Sequence, residues 1–166
     1  MALAINICSE VYTEHFADLE PVLERLTNLI IYEDTKIQES ALSCFVLLTE
    51  HFMNEEGNLM KICSPDLLGN LLTLVSSQDM SSFSETTTAT ASDINSGLVF
   101  RILATTCRSS TSLMTQLLDL GLCHILDSTL MQLSCDSVVA NSRYSQQVYN
   151  IITLVNELLP TLPEDV

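Results

Sequence analysis

Asp34-Thr-Lys-Ile-Gln-Glu-Ser-Ala-Leu-Ser-Cys-Phe-Val-Leu-Leu-Thr-Glu-His-Phe52 holds neither glycine nor proline, and Ile37, Ala41, Phe45, Leu48 and Phe52 recur in it at spacings of three and four. That period is helical, and Thr35 with Gln38 three residues on has the form of a capping box at its start. Leu42, Val46 and Leu47 add apolar side chains beyond a single stripe, so the helix needs cover on more than one side. A helix of this kind belongs inside a stack of other helices.

The rest of the composition agrees. Nearly half of the 166 residues are hydrophobic, while four glycines, four prolines and no tryptophan leave Leu, Ile and Val to fill the core, which favours helix-on-helix layers over a β-sandwich. Twenty-one acidic against six basic residues give a formal net charge of −15, which speaks against a nucleic-acid or anionic-membrane surface and, in its plainest reading, keeps a Leu-rich protein in solution. No stretch has the 18 or so apolar residues of a membrane span. The N-terminus lacks a signal peptide's charged start and cleavage site. The cysteines at 8, 44, 63, 107, 123 and 135 have no zinc-ribbon spacing and lie in apolar helical runs, so they read as buried free thiols of a cytoplasmic or nuclear protein. Met1 to Glu10 is apolar from its first residue, as if it were the last helix of something longer.

Outward from residues 34–52 the chain reads as short helices. The sequence predicts a short one from Thr13 to Asp18 and a second opened by Glu20-Pro21 and running to Ile31. Beyond the long helix come Asn58 to Cys63, and a helix to Val75 announced by Ser64-Pro65-Asp66, which is an N-cap, a first-position proline and a first-turn acid. Residues 76–93 are Ser/Thr-rich and read as a flexible loop. Helices follow at Ile94 to Cys107, Ser112 to Leu120 with Gly121 closing it, Leu122 to Leu133, and Arg143 to Leu159.

These segments repeat. Pro21 to Ile30 aligns with Asp66 to Val75 and then with Gly121 to Leu130. On the long helices Ala41, Phe45, Leu48 and Phe52 correspond to Leu98, Ile102, Thr105 and Ser109, and then to Val148, Ile152, Val155 and Leu159. Short, middle and long helix at a period in the forties is the pattern of armadillo-type repeats. The expected fold is therefore all-α: an armadillo-type (ARM/HEAT-like) right-handed superhelical solenoid of about three and a half repeats. One domain would span 1–160, with repeats at 1–10 (partial), 12–52, 55–109 and 111–160, and 161–166 would form an acidic tail.

The run from His15 to Phe52, continued by Asn54-Glu-Glu-Gly-Asn-Leu-Met60 and Ser64-Pro-Asp-Leu-Leu68, resembles the N-terminal armadillo region of HECT ubiquitin ligases of the ubiquitin-fusion-degradation type, the group of the thyroid-receptor-interacting and Kaktus-like ligases. The resemblance is strongest over residues 1–75 and is one of repeat pattern over 94–160. It implies a non-catalytic recognition segment that docks ubiquitin or ubiquitylated and degron-bearing substrates, or packs on other domains of the parent ligase. The catalytic cysteine of such ligases lies in a HECT domain that has no counterpart here. Importin-type armadillo grooves hold basic peptides with Trp and Asn ladders, and the lack of Trp argues against that version, although an adaptor for basic peptides stays open.

No phosphate loop, nucleophile elbow or His-Glu-x-x-His motif occurs, and no cofactor is implied. Cys123-His124 are neighbours on a helix and point about 100° apart, so they read as a core cysteine beside a partly exposed histidine rather than a catalytic pair. His15 and His51 lack a second ligand at metal spacing. Off the apolar stripe of the long helices, the residues a protein partner would meet are Gln38, Glu39, Ser43 and Glu50, then Arg101 and Thr105, then Gln146, Asn150 and Asn156. Ser76, Ser82 and Thr90 each precede an acid by three residues, a pattern that acidophilic kinases accept and that also caps helices.

Overall fold

The computed structural model describes residues 16–76, 91–135 and 142–159, the side chains at 91–93, 132–135 and 142–144 excepted. Among them are eight helices and no strand: α1 (Phe16–Leu29), α2 (Thr35–His51), α3 (Glu56–Ile62), α4 (Pro65–Ser76), α5 (Ala91–Ser109), α6 (Thr111–Asp119), α7 (Leu122–Cys135) and α8 (Ser142–Leu158). The expectation of an all-α fold holds.

The helix starts show the local chemistry. At α4, Leu67 N–H donates to Ser64 Oγ at 3.2 Å, with Pro65 as first residue and Asp66 in the first turn, as the sequence predicts. At α6, Leu113 N–H donates to Ser110 Oγ at 3.3 Å. Gly121, with φ at +91°, follows α6 in the left-handed region that glycine enters without a Cβ clash.

The start of α2 corrects the expected capping box. Asp34 is the N-cap, its carboxylate accepting from the N–H groups of Lys36 at 2.9 Å and Ile37 at 3.3 Å. A charged acceptor one residue ahead of Thr35 is the better cap, because it meets the helix dipole as well as the free donors. Gln38 is thereby released for other bonds: its Nε2 donates to Ile30 O at 2.7 Å, and its Oε1 accepts from Asn95 Nδ2, also at 2.7 Å. The expected break at Glu20-Pro21 is also absent. Proline is the sixth residue of one continuous α1, where it removes a single bond, to the carbonyl of Ala17 on the exposed side. Phe16, Leu19, Leu23 and Leu26 are buried along the other side and hold the helix together across it.

The three long helices form a row. Among the described helices the most extensive packing is α5 on α2, followed by α8 on α5. Asn95 and Gln38 join the first turns of α5 and α2, and Arg108 and Glu157 join the last turns of α5 and α8, so the three run in the same direction. The middle helices follow the same order, α1 against α4 and α4 against α7, and each touches its own long helix. The short α3 packs on α1 and α2, and the short α6 on α5 and α7. One apolar cluster runs through these layers from Phe16 to Leu154. Phe45, Leu48 and Phe52 are fully buried in it, and the Phe52 ring meets Phe16 edge-on at 5.2 Å between centroids.

The predicted stripe on α2 is buried at Ala41, Phe45, Leu48 and Phe52, together with Leu42 and Val46, while Leu47 is exposed. On α8 the expected register is one residue late. Ile151 and Leu154 are buried, while Ile152 and Leu159 are exposed. Two adjacent apolar residues such as Ile151 and Ile152 support either register in sequence, and only packing against α5 and α7 selects one. Cys44, Cys63 and Cys107 are buried and in no disulfide, as expected, whereas Cys123 is exposed, because Leu122 and Leu126 carry the inward face of α7. Cys8, Cys135 and most of the Ser/Thr-rich stretch lie outside the described residues. No helix among the described residues is long and apolar enough to cross a membrane.

Candidate functional site

On α5, Gly97, Arg101, Ala104, Thr105 and Arg108 recur at helical spacing and lie on one face. Gln146, Tyr149, Asn150 and Thr153 do the same on α8. Between these faces, with Glu50 of α2 at one side, lies an open groove of about 510 Å³. Small residues on α5 make it: Gly97 has open space where a Cβ would stand, and Ala104 and Thr105 add little bulk. Tyr149, exposed at 65%, stands on its α8 wall.

Both arginines are fixed by carboxylates of the adjoining long helices. Arg101 Nε donates to Glu50 Oε1 at 2.6 Å, and Arg108 donates to Glu157 Oε1 from Nε at 3.2 Å and from Nη2 at 2.9 Å. The hydrogen bond and charge of Glu157 push the Arg108 guanidinium still higher in pKa. More than half of each arginine side chain is exposed, so each pair adds at most about 1 kcal/mol of stability, and its main effect is to orient the guanidinium. The two guanidinium groups are matched by the two carboxylates that they bond, so the site is locally neutral on a chain of charge −15. On α8, Gln146 Nε2 donates to Asn150 Oδ1 at 3.0 Å, which leaves the Asn150 amide N–H groups for a ligand.

Five of the residues singled out from sequence line this groove: Glu50, Arg101, Thr105, Gln146 and Asn150. Thr105 is only 7% exposed, so it shapes the floor and offers a partner little surface, contrary to expectation. Gln38 is also not a free polar residue, being tied to Ile30 and Asn95. Glu39 and Ser43 are half-buried on α2 and Asn156 is exposed on α8; none of the three lines the groove. Ser76 ends α4 and donates its hydroxyl proton to Thr73 O at 3.0 Å. Ser82 and Thr90 lie outside the described residues. Sequence reasoning missed Arg108 and Tyr149. Arg108 follows Arg101 by seven residues, two turns on the same face, which was a usable signal; Tyr149 looked like one more apolar residue of α8.

A second groove, about 600 Å³, lies among α1, α3 and α4, with Glu20, Glu24 and Asp66 on its walls and Lys61 bonded to Glu20 at 2.8 Å. None of the residues chosen from sequence lines it.

The groove across the long helices is lined by no cysteine, serine, lysine or histidine. Burial pushes the Cys63 thiol up to about 11, against a weaker opposing pull from its hydrogen bond with Thr106. Burial, helped by the charges of Glu157 and Cys63, pushes Cys107 up to about 12. Neither supplies a thiolate near neutral pH. No three His, Cys, Asp or Glu side chains among the described residues are grouped to hold a metal ion. The groove is equipped to bind and orient a ligand by hydrogen bonds, ion pairs and one aromatic surface.

The whole chain is similar to a short part of two ubiquitin ligases. It aligns at 30% identity over 170 residues with the E3 ubiquitin-protein ligase UPL3 of Arabidopsis thaliana, and at 27% over 172 residues with the E3 ubiquitin-protein ligase TRIP12 of Danio rerio. The alignments cover 100% and 99% of this chain but only 9% and 8% of the two ligases. The similarity thus extends past residue 75, over the part where the sequence alone shows only a repeat pattern. No family model matches, and no solved structure matches.

Proposed function

We propose that this chain is a non-catalytic protein-docking segment of a HECT-type ubiquitin ligase, built as an armadillo-type solenoid. Its groove across α2, α5 and α8 receives ubiquitin or ubiquitylated and degron-bearing substrates. The observation that carries this reading is the alignment of the entire chain, end to end, with a small fraction of two ubiquitin ligases. The ordered rows of long and middle helices support the solenoid, since each triplet alone has too little apolar area and stacking supplies it. Recognition is non-covalent, and its setting is the cytoplasm or nucleus. Phosphate at Ser76 or in the Ser/Thr-rich stretch after it would tune the segment through added charge.

Labelled ubiquitin and short ubiquitin chains titrated against the 166-residue chain test this directly. Saturable binding that weakens on Tyr149→Ala is expected; no saturation at high micromolar concentration would remove ubiquitin as the ligand. A second reading, a segment that packs on other domains of its own ligase, is favoured by the exposed apolar side chains of Tyr149 and Ile152 on α8 and of Leu159 just after it. An adaptor for basic peptides would meet the half-exposed guanidinium groups of Arg101 and Arg108 in this groove.

A further inference from the structure

We infer that the groove among α1, α3 and α4 takes a basic segment of a partner protein, in which an arginine or lysine stands beside a large apolar residue. This surface is separate from the groove across the long helices and does not depend on what binds there. Its walls are tied together where Asn70 Nδ2 of α4 donates to Thr27 O of α1 at 3.3 Å. Glu20 and Glu24 follow one another at one-turn spacing along the α1 wall, and Asp66, in the first turn of α4, lines the other.

The charges of this groove are not balanced within the fold. Among its described lining residues Lys61 is the only cation, and it is already engaged: Nζ bonds Glu20 Oε1 at 2.8 Å and lies 5.7 Å from the centre of the Phe16 ring, both in the first two turns of α1. Three carboxylates against one ammonium leave two negative charges, and Glu24 and Asp66 take part in no ion pair among the described residues. Both side chains are exposed, so an incoming guanidinium or ammonium reaches them without displacing an internal partner. Beside them Ile31 and Met60 are 53% and 40% exposed, apolar surface for the partner's own apolar residue, and the unbranched Met60 adapts to its shape. The segment comes from another molecule. All six lysines and arginines of the chain lie on the helices described above, from Arg25 on α1 to Arg143 on α8, so the stretches outside the described residues supply no cation. A second copy, also at −15, is repelled. The neutral groove across α5 and α8 presents guanidinium groups to the same segment, which favours the acidic groove over it.

The test is fluorescence anisotropy on the full 166-residue chain with a labelled Gly-Arg-Leu-Lys-Leu-Gly peptide, beside one version with Gln for Arg and Lys and another with Ser for both Leu. Glu24→Gln/Asp66→Asn is compared with Glu33→Gln/Asp119→Asn, which makes the same change of net charge, from −15 to −13, at exposed sites off the groove. The basic peptide is expected to bind about tenfold more weakly to the first variant and within about twofold of the unaltered chain to the second. Both altered peptides are expected to bind the unaltered chain more weakly than the basic one. Hydrogen exchange on the unaltered chain with the basic peptide bound is expected to slow within residues 20–31 and 60–70, which keeps the answer independent of how the variants fold. Equal losses in the two variants would mean attraction to overall charge and overturn the inference. Equal binding of either altered peptide, protection confined to other helices, or no binding of the basic peptide would overturn it as well.

Discussion

Asp34 and Gly121 set boundaries that neighbouring residues do not replace. Asp34→Ala removes a carboxylate that accepts two helix N–H groups and is expected to cost about 1 kcal/mol, read as a lower denaturant midpoint. Gly121→Ala places a Cβ at φ +91° and is expected to cost about 1–2 kcal/mol despite the open space around it. The buried thiols give a pH dependence with a definite sign. Cys63 and Cys107 ordinarily titrate near 9.0, and the fold raises them to about 11 and about 12, so the folded chain holds these protons more tightly than the unfolded one. Their contribution is complete below pH 9 and is lost as pH climbs toward those raised values, at up to about 1.4 kcal/mol per unit for each thiol. Thermal melts from pH 8 to pH 11 are expected to show the fall, and Cys63→Ser/Cys107→Ser to flatten it. At this scale the sequence was least legible. Asp34 and Thr35 are both good caps, Thr105 is polar yet small enough to bury, and Cys123 differs from the buried cysteines only in helical phase.

Among the elements, α2 shows what a polar residue on a long helix can be for. Gln38 joins Ile30 O to Asn95, which is itself 4% exposed and whose Nδ2 also donates to Thr35 O at 3.2 Å. Gln38→Ala takes this donor from Ile30 O, leaves Asn95 Nδ2 with Thr35 O alone, and is expected to cost about 1–3 kcal/mol. Glu39→Ala, one residue on, should stay within about 0.5 kcal/mol. Chemical denaturation of the two variants checks the contrast, and equal losses would show that the network carries no weight. Helix identity and order were legible, because period, Ser-Pro-Asp and Gly121 are local signals. The register of α8 and the continuity of α1 through Pro21 were not, since both are settled by burial against other helices.

Among the described helices, α5 has a long helix on each side, while α2 and α8 each have one. Amide hydrogen exchange is expected to be slowest in the middle of α5, around Ile102 and Leu103, and faster by an order of magnitude or so in α8. Leu103→Ala should cost about 2–5 kcal/mol and loosen both neighbours together. The alternation of short, middle and long helices was readable because each repeat spells the same local pattern. The groove was readable only in part. Glu50, Arg101, Gln146 and Asn150 announced themselves as polar residues on long helices, but which of them share a cavity depends on the distance between α5 and α8, and no single helix encodes that.

Thr49 and Thr106 are fully buried on α2 and α5, and both hydroxyls donate to carbonyls of their own helices, Phe45 O and Ile102 O, each at 2.8 Å. The polar ties between long helices run instead through three side chains of α5: Asn95 to Gln38 and Thr35, Arg101 to Glu50, and Arg108 to Glu157. Two of these three are exposed ion pairs, which salt screens over a few ångströms at about 1 M. Two of the ties thus sit at the exposed edge of the row, while apolar side chains fill the space between the helices. Spin labels at positions 47 and 152, exposed sites on α2 and α8, are expected to report a broader distance distribution at about 1 M salt than at about 0.05 M, with the helix content unchanged. Salt that weakens those two ion pairs would thus leave Arg101 and Arg108 free to reorient while the apolar packing between the helices stays in place.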